Sequence, residues 1–267
     1  MTSKDELARA EEEARKRLGL DSNISPVDPV PLSDTLKHIH LPDLLPATRT
    51  TAQREAEAVA SELRKRDEAW EQLAVKIGVR YARMELSRFK FYGEAECQAR
   101  QRGVVGQVRD YMHQLPERVQ AGSGLVLFGP PGTGKDMLAA VAMRAAVLNF
   151  GFSVDWVNGA DLFGALRDAI STETAESKTL GKWIRPKILV LSDPVPPWGS
   201  LTEFQAVSLF RVIDARYRNN LPTWVTLNVA DGADAAMRMG PQVVSRLRQG
   251  AMSCVCDWPD YRSMIHQ

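Results

Sequence analysis

The stretch GPPGTGKD, Gly129–Asp136, constrains this chain more than any other. The short apolar run LVLF, 125–128, precedes it as a buried strand, and residues 135–150 follow as a helix. In that order, glycines let main-chain N–H groups turn inward around phosphates. The helix start adds its dipole, and a lysine reaches the terminal phosphates. Gly129, Pro130, Pro131, Gly132, Thr133, Gly134 and Lys135 are therefore the candidate nucleotide-binding residues. A purely structural glycine turn has the same bare pattern. The strand before and the helix after favour the phosphate site.

The last residue of the motif departs from the usual form. A Ser or Thr hydroxyl normally stands there and coordinates Mg²⁺, with a second metal partner drawn from an acid at the end of another strand. Here the loop ends in Asp136, and the candidate acidic strand KILVLSD, 187–193, ends in Ser192 and Asp193. Aligned on its apolar run, Ser192 takes the first acidic place and Asp193 the second. One reading is a compensated exchange, in which Asp136 supplies the anionic oxygen that Mg²⁺ prefers and Ser192 fills the vacated place. Asp136, Ser192 and Asp193 are then the metal candidates. The other reading is that Asp136 only favours the first turn of its helix, by about 0.3–1 kcal/mol, and repels a phosphate.

The remaining chain alternates short apolar runs with helical stretches. Strands are expected at 125–128, 153–158, 187–193, 223–228 and 252–258, and helices over 135–150, 160–171, 202–219 and around VVSRLR. That alternation argues an α/β fold with a parallel sheet covered on both faces. Val104, Val108 and Met112 recur every fourth residue and mark an amphipathic helix upstream. Residues 1–78 have a different texture. A charged helix over 4–19, a proline-punctuated stretch at Ser25–Asp34 and a second helix from Thr51 to Ile77 make a helical N-terminal arm, with 79–267 as the α/β domain.

Bulk properties exclude little else. A formal net charge of +1 gives no global attraction to nucleic acid, so such binding needs a local patch. None of the three cysteines has a partner at zinc-ligand spacing, which suits a reducing compartment. His38 and His40 lack acidic or Cys neighbours and read as loop. No apolar run approaches the roughly 20 residues that span a bilayer. The charged start is no signal peptide, so a cytoplasmic location is expected.

Four segments in order, GPPGTGKD, LVLSDPVPP, PTWVTLN and VVSRLRQGAMSCVCDWPDYR, resemble the AAA+ ATPases of the DnaC/IstB type, over about residues 79–262. The resemblance implies a P-loop three-layer αβα sandwich with a five-stranded parallel sheet of order 5-1-4-3-2, binding ATP and Mg²⁺. It implies that RYARMELSRFKFYG is an entry motif passing the nucleotide base, with Phe89 as a binding residue. Asp193 matches the acid that polarises the attacking water, and Asn228 the sensor that holds that water. Arg246 matches the arginine finger that reaches a neighbouring subunit's site, with Arg248 as runner-up. A homo-oligomer is implied, acting on single-stranded DNA with a replicative helicase or a transposase. Asp193 is shorter than the commoner Glu, and the turn PVPPWGSL after it is stiff and apolar, either a positioning loop or a structural turn.

Two segments, RYARMELSRFKFY and DARYRN (Asp214–Asn219), combine Arg with Tyr or Phe and suit backbone contact and base stacking. A solvated charged face explains either equally well. Two other functions fit the loop. A scaffold that binds nucleotide without hydrolysing it is favoured by Asp136 and Ser192. A small-molecule kinase needs an acceptor pocket and an Arg-rich lid, and the sequence shows neither.

Overall fold

Residues 50–171 and 176–264 are described by the computed structural model. The helix expected over 4–19, the stretch Ser25–Asp34, His38 and His40 lie outside the described residues. The chain forms two compact units, 1–65 and 66–267. Helix α1, Thr51–Ile77, runs through the boundary.

The second unit continues with α2 (Val79–Ala82), a 3₁₀ turn at Leu86–Arg88, α3 (Ala95–His113) and α4 (Leu115–Gln120). The alternating core follows: β1 (Leu125–Phe128), α5 (Lys135–Leu148), β2 (Val154–Asn158), α6 (Gly159–Ser171), α7 (Glu176–Ile184) and β3 (Ile188–Ser192). It ends with α8 (Glu203–Arg218), β4 (Thr223–Leu227), α9 (Gly232–Met239), α10 (Pro241–Arg248), β5 (Met252–Val255) and α11 (Tyr261–Met264). The five strands are all parallel, in the order β2-β3-β4-β1-β5, which is the expected 5-1-4-3-2 read from the other edge.

Strand parity sorts the core into two layers, because successive side chains point to opposite faces. Leu125, Leu127, Ile188, Val190 and Trp224 join a cluster with Trp70, Leu73 and Ile77 of α1, Val104 and Val108 of α3, and the inner face of α5. Val126, Leu189, Leu191, Val225 and Leu227 face a second cluster built from α6, α7, α8, α9 and α10. Helix α5 buries Ala139, Ala140, Ala142 and Ala146, small side chains that let it lie close on the sheet.

Parity also decides which polar groups meet α5. Ser192 has the parity of Ile188 and Val190, and Thr226 has that of Trp224, so both hydroxyls share the α5 face. They are register partners across β3 and β4.

The last strand is shorter than expected. Cys256 still donates its N–H to the Phe128 carbonyl at 2.7 Å, and Trp258 then turns away from the sheet. Helices α7 and α9 were not legible: nine and eight residues long, they offer too few turns for a clear period.

Within DARYRN, Tyr217 and Arg218 are exposed, whereas Arg216 has a structural role. Arg216 is fully buried. Its guanidinium donates to Thr223 Oγ1 (3.0 Å), to the carbonyls of Trp183 (2.9 Å) and Pro186 (2.9 Å), and to that of Pro222 (2.7 Å). One cation thereby ties the end of α7 and the entries to β3 and β4. Replacing it with an apolar side chain orphans those carbonyls in a dry interior. Arg216→Met is expected to lower stability by about 3 kcal/mol, read as a lower midpoint in denaturant unfolding.

Candidate nucleotide site

The site lies where β1, β3 and β4 end and α5 begins. Gly129 and Gly132 hold φ of 139° and 79°, and both are crowded by backbone or carboxylate. A Cβ on Gly129 would stand 2.3 Å from the Cys256 carbonyl oxygen, and one on Gly132 would strike the Asp260 carboxylate. Only glycine fits either place. Lys135, the first residue of α5, is 5% exposed and donates to the carbonyls of Gly129 (2.9 Å) and Pro130 (2.6 Å) and to Thr133 Oγ1 (3.3 Å). Burial pushes its pKa down, opposed by Asp193, Cys256 and Asp136.

The loop is braced from outside. The buried Trp258 donates its indole N–H to the Thr133 carbonyl at 2.9 Å, and Tyr261 N–H donates to the Gly132 carbonyl at 3.1 Å. Phe89, 7% exposed, sets its ring against Gly134, where a Cβ would lie 3.1 Å from it. Tyr92 reaches across to the Pro259 carbonyl at 2.5 Å. Entry motif and chain end therefore frame the loop together. The roles of Trp258, Asp260 and Tyr261 were missed in the sequence, since only the turn after β5 brings them back.

The departure at Asp136 resolves into a small network. Asp136 Oδ1 accepts from Ser192 Oγ at 3.0 Å and from Thr226 Oγ1 at 2.7 Å. Helix α5 is thus hydrogen-bonded through one carboxylate to two adjacent strand ends. Thr226 is 1% exposed, and a threonine inside the apolar run WVTL is the sequence signal that marks it.

Asp193 follows β3 in the left-handed region, φ 41°, which is uncommon for a side-chain-bearing residue. Its N–H donates to the Thr226 carbonyl at 3.1 Å, which pins the turn. Asn228 Nδ2 donates to Asp193 Oδ2 at 2.7 Å. The other carboxylate oxygen, Oδ1, is buried and has no hydrogen-bond partner among the described residues. Burial, reinforced by the Asp136 charge, holds this carboxyl up at about 6, while Lys135 and Asn228 pull it down.

The structure brings Asp136, Ser192, Asp193, Asn228, Phe89 and the loop together, and places Arg246 elsewhere. Arg246 pairs with Asp214 at 2.7 Å and stacks over Phe210 (4.7 Å) and Tyr217 (5.7 Å), beside Gly124 and Gly250 at the other end of the strands, where β1 and β5 begin. Arg248 is exposed, with Nη1 near Gly232.

Among the described residues, no group of three or more His, Cys, Asp and Glu side chains forms a metal cage. Two carboxylates, one of them with an unpaired buried oxygen, and a hydroxyl suit a hard cation that takes its remaining ligands from phosphate and water. The IstB-like ATP binding protein family matches residues 35–230. The chain belongs to that family. The matched span carries the loop, Phe89, Ser192, Asp193 and Asn228, and ends before Arg246.

The structure of the DnaC helicase loader is similar to this IstB-like chain at TM-score 0.58 and 25% identity, covering 67% of this chain and 99% of that one. DnaI shares the fold at TM-score 0.55 and 18% identity, over 67% of this chain and 93% of that one. The replication initiator DnaA, bound to AMPPCP and single-stranded DNA, shares it at TM-score 0.53 and 17% identity, over 68% of this chain and 51% of that one. No curated protein matches the sequence. The IstB-like chain is therefore an ATP-binding protein of AAA+ type. Among its described residues no helix is long and apolar enough to cross a membrane.

The raised Asp193 carboxyl has a consequence for stability. The folded IstB-like chain keeps a proton, up to about pH 6, that the unfolded chain releases near its ordinary value of 3.8. Stability therefore falls as pH rises through that window and stays lower above it. Asn tolerates the left-handed backbone and carries no charge. Asp193→Asn is expected to match the parent near pH 4 and to melt about 2–4 °C higher above pH 6, as read by thermal unfolding.

Proposed function

We propose that this protein hydrolyses ATP with Mg²⁺ and couples that turnover to work on DNA. The observation that carries the reading is Asp193. It is held by Asn228 through one oxygen, has its second oxygen unpaired, and stands within electrostatic reach of Lys135 and Asp136.

The loop amides and Lys135 bind the phosphates. Phe89 supports Gly134 beneath them. Asp136, Ser192 and Asp193 are the residues that would hold the metal, which when bound neutralises charge developing on phosphate oxygens. Asp193 orients the attacking water and takes its proton at Oδ1. Its raised pKa makes it a better base than an ordinary carboxyl. Asn228 keeps it from rotating away. In a homo-oligomer, Arg246 or Arg248 of one subunit would neutralise charge in the next subunit's site. Arg248 is the exposed one, and Arg246 must first leave Asp214.

The DNA and partner assignments rest on relatives. The DnaC helicase loader points to a helicase and DnaA to single-stranded DNA, while the transposase alternative rests on the resemblance of the sequence motifs to the DnaC/IstB type. In the entry segment, Arg80, Arg83, Arg88 and Lys90 are exposed beside Phe91, which makes it the better nucleic-acid candidate in this chain. Residues 1–78 are assigned to partner docking and the rest to the ATPase.

Turnover of magnesium–ATP with and without single-stranded DNA tests the reading. Stimulated release of phosphate is expected, whereas tight binding without release identifies a scaffold. The carboxylate–hydroxyl exchange has its own test. Asp136→Thr and Ser192→Asp are each expected to lose hydrolysis about tenfold or more, and the double variant to recover most of it. A double variant worse than both singles removes the compensated pair.

A further inference from the structure

Arg238, near the end of α9, belongs to no motif in the sequence, yet its side chain is only 12% exposed. The guanidinium uses all three nitrogens on main-chain oxygens. Nε donates to the Gly199 carbonyl at 2.9 Å, Nη1 to the Asn228 carbonyl at 3.0 Å, and Nη2 to the Pro196 carbonyl. Its own carbonyl accepts from Leu201 N–H at 2.8 Å. Asp234, one turn earlier, stands 3.9 Å from Nη1 and accepts from Ala230 N–H at 3.0 Å. Three pieces of chain thus converge on one planar cation: the turn after β4, the loop after Asp193, and α9.

The convergence is specific to the proposed chemistry. Asn228 and Asp193 sit on the two segments that Arg238 joins, and they are hydrogen-bonded to each other at 2.7 Å. The joined loop is PVPPWGSL, which carries Trp198, 86% exposed. A planar fork with five N–H donors matches this set of acceptors, and an ammonium does not.

We propose that Arg238 is a positioning residue for hydrolysis: it fixes the turn after β4 so that the Asn228 amide holds the Asp193 carboxylate, and it ties that turn to the Trp198 loop. This rests on reading the site as an ATPase. Arg238 acts through Asn228, whose carbonyl it holds. It also makes the stiffness of the proline-rich turn a functional property, since a loop held by Pro196 and Gly199 at one cation transmits its position to the acid that precedes it.

The experiment compares the full chain with Arg238→Lys, Asn228→Ala and the two combined, with Ser200→Ala as a control. Ser200→Ala removes a different bond between the same loop and α9, Ser200 Oγ to the Met237 carbonyl at 3.3 Å, and is expected to leave turnover unchanged. Arg238→Lys is expected to keep the dissociation constant for magnesium–ATP within about twofold while kcat falls about tenfold.

If Arg238 acts through Asn228, the combined variant is no slower than Asn228→Ala alone. Additive losses, or a kcat that falls only with the folded fraction, overturn the proposal. A parent that binds but never hydrolyses ATP sinks the ATPase reading instead. The Asn228 side-chain amide, followed by nitrogen NMR, then decides for Arg238: faster exchange of its protons in Arg238→Lys than in the parent supports it, and an unmoved amide signal ends it. Should Arg238→Lys fail to fold, Arg238→Met takes its place in every arm.

Discussion

A single carboxylate joins helix to sheet at the phosphate loop, and the geometry of the site depends on it. In the usual arrangement the helix offers a hydroxyl and the strand an acid. Here Asp136 reaches from the first turn of α5 to Ser192 and Thr226, which donate to the same oxygen. A hydrogen bond to a charged acceptor is worth about 1.5–3 kcal/mol, so two of them anchor the helix start firmly to β3 and β4. That anchorage follows from parity: any one-residue slip of β3 against β4 would send one hydroxyl to the opposite face.

Around that anchor, the site is assembled from both ends of the second unit. The entry motif supplies Phe89 and Tyr92, and the exit from β5 supplies Trp258 and Tyr261. The sheet contributes the ends of β3 and β4 with Asp193 and Asn228. None of these is rigid alone, since Asp193 stands in a disfavoured backbone region and Asn228 lies one residue past its strand. The bonds from Asp193 to the Thr226 carbonyl and from Arg238 to the Asn228 carbonyl supply the missing restraint.

Much of the fold was legible because strands and helices here carry their periods openly. LVLF, ILVLS and TWVTL are short, apolar and flanked by turn residues, and each forms a strand within a residue or two of its expected limits. The place of the loop between a strand and a helix was also legible, since it depends on local motif order. Contacts made only by the folded chain were not. Arg216 looked like a surface base because composition cannot distinguish an arginine that satisfies carbonyls from one that meets phosphate. Arg238 and Trp258 escaped for the same reason: their partners lie 10 to 125 residues away. Arg246 matched a motif, and its pairing with Asp214 became visible only when α8 and α10 lay side by side.

The adjacency of Lys135 and Asp136 has a mechanical corollary. Cation and anion at the head of α5 are adjacent residues whose side chains leave the helix in different directions, one to the loop and one to the sheet. Where an acid sits on a strand and a lysine on a helix, sliding one element past the other changes their separation. In this chain the backbones of both residues move with α5, while Lys135 Nζ is held to the loop carbonyls and the Asp136 carboxylate to β3 and β4, so a tilt of α5 loads the loop and the sheet at once.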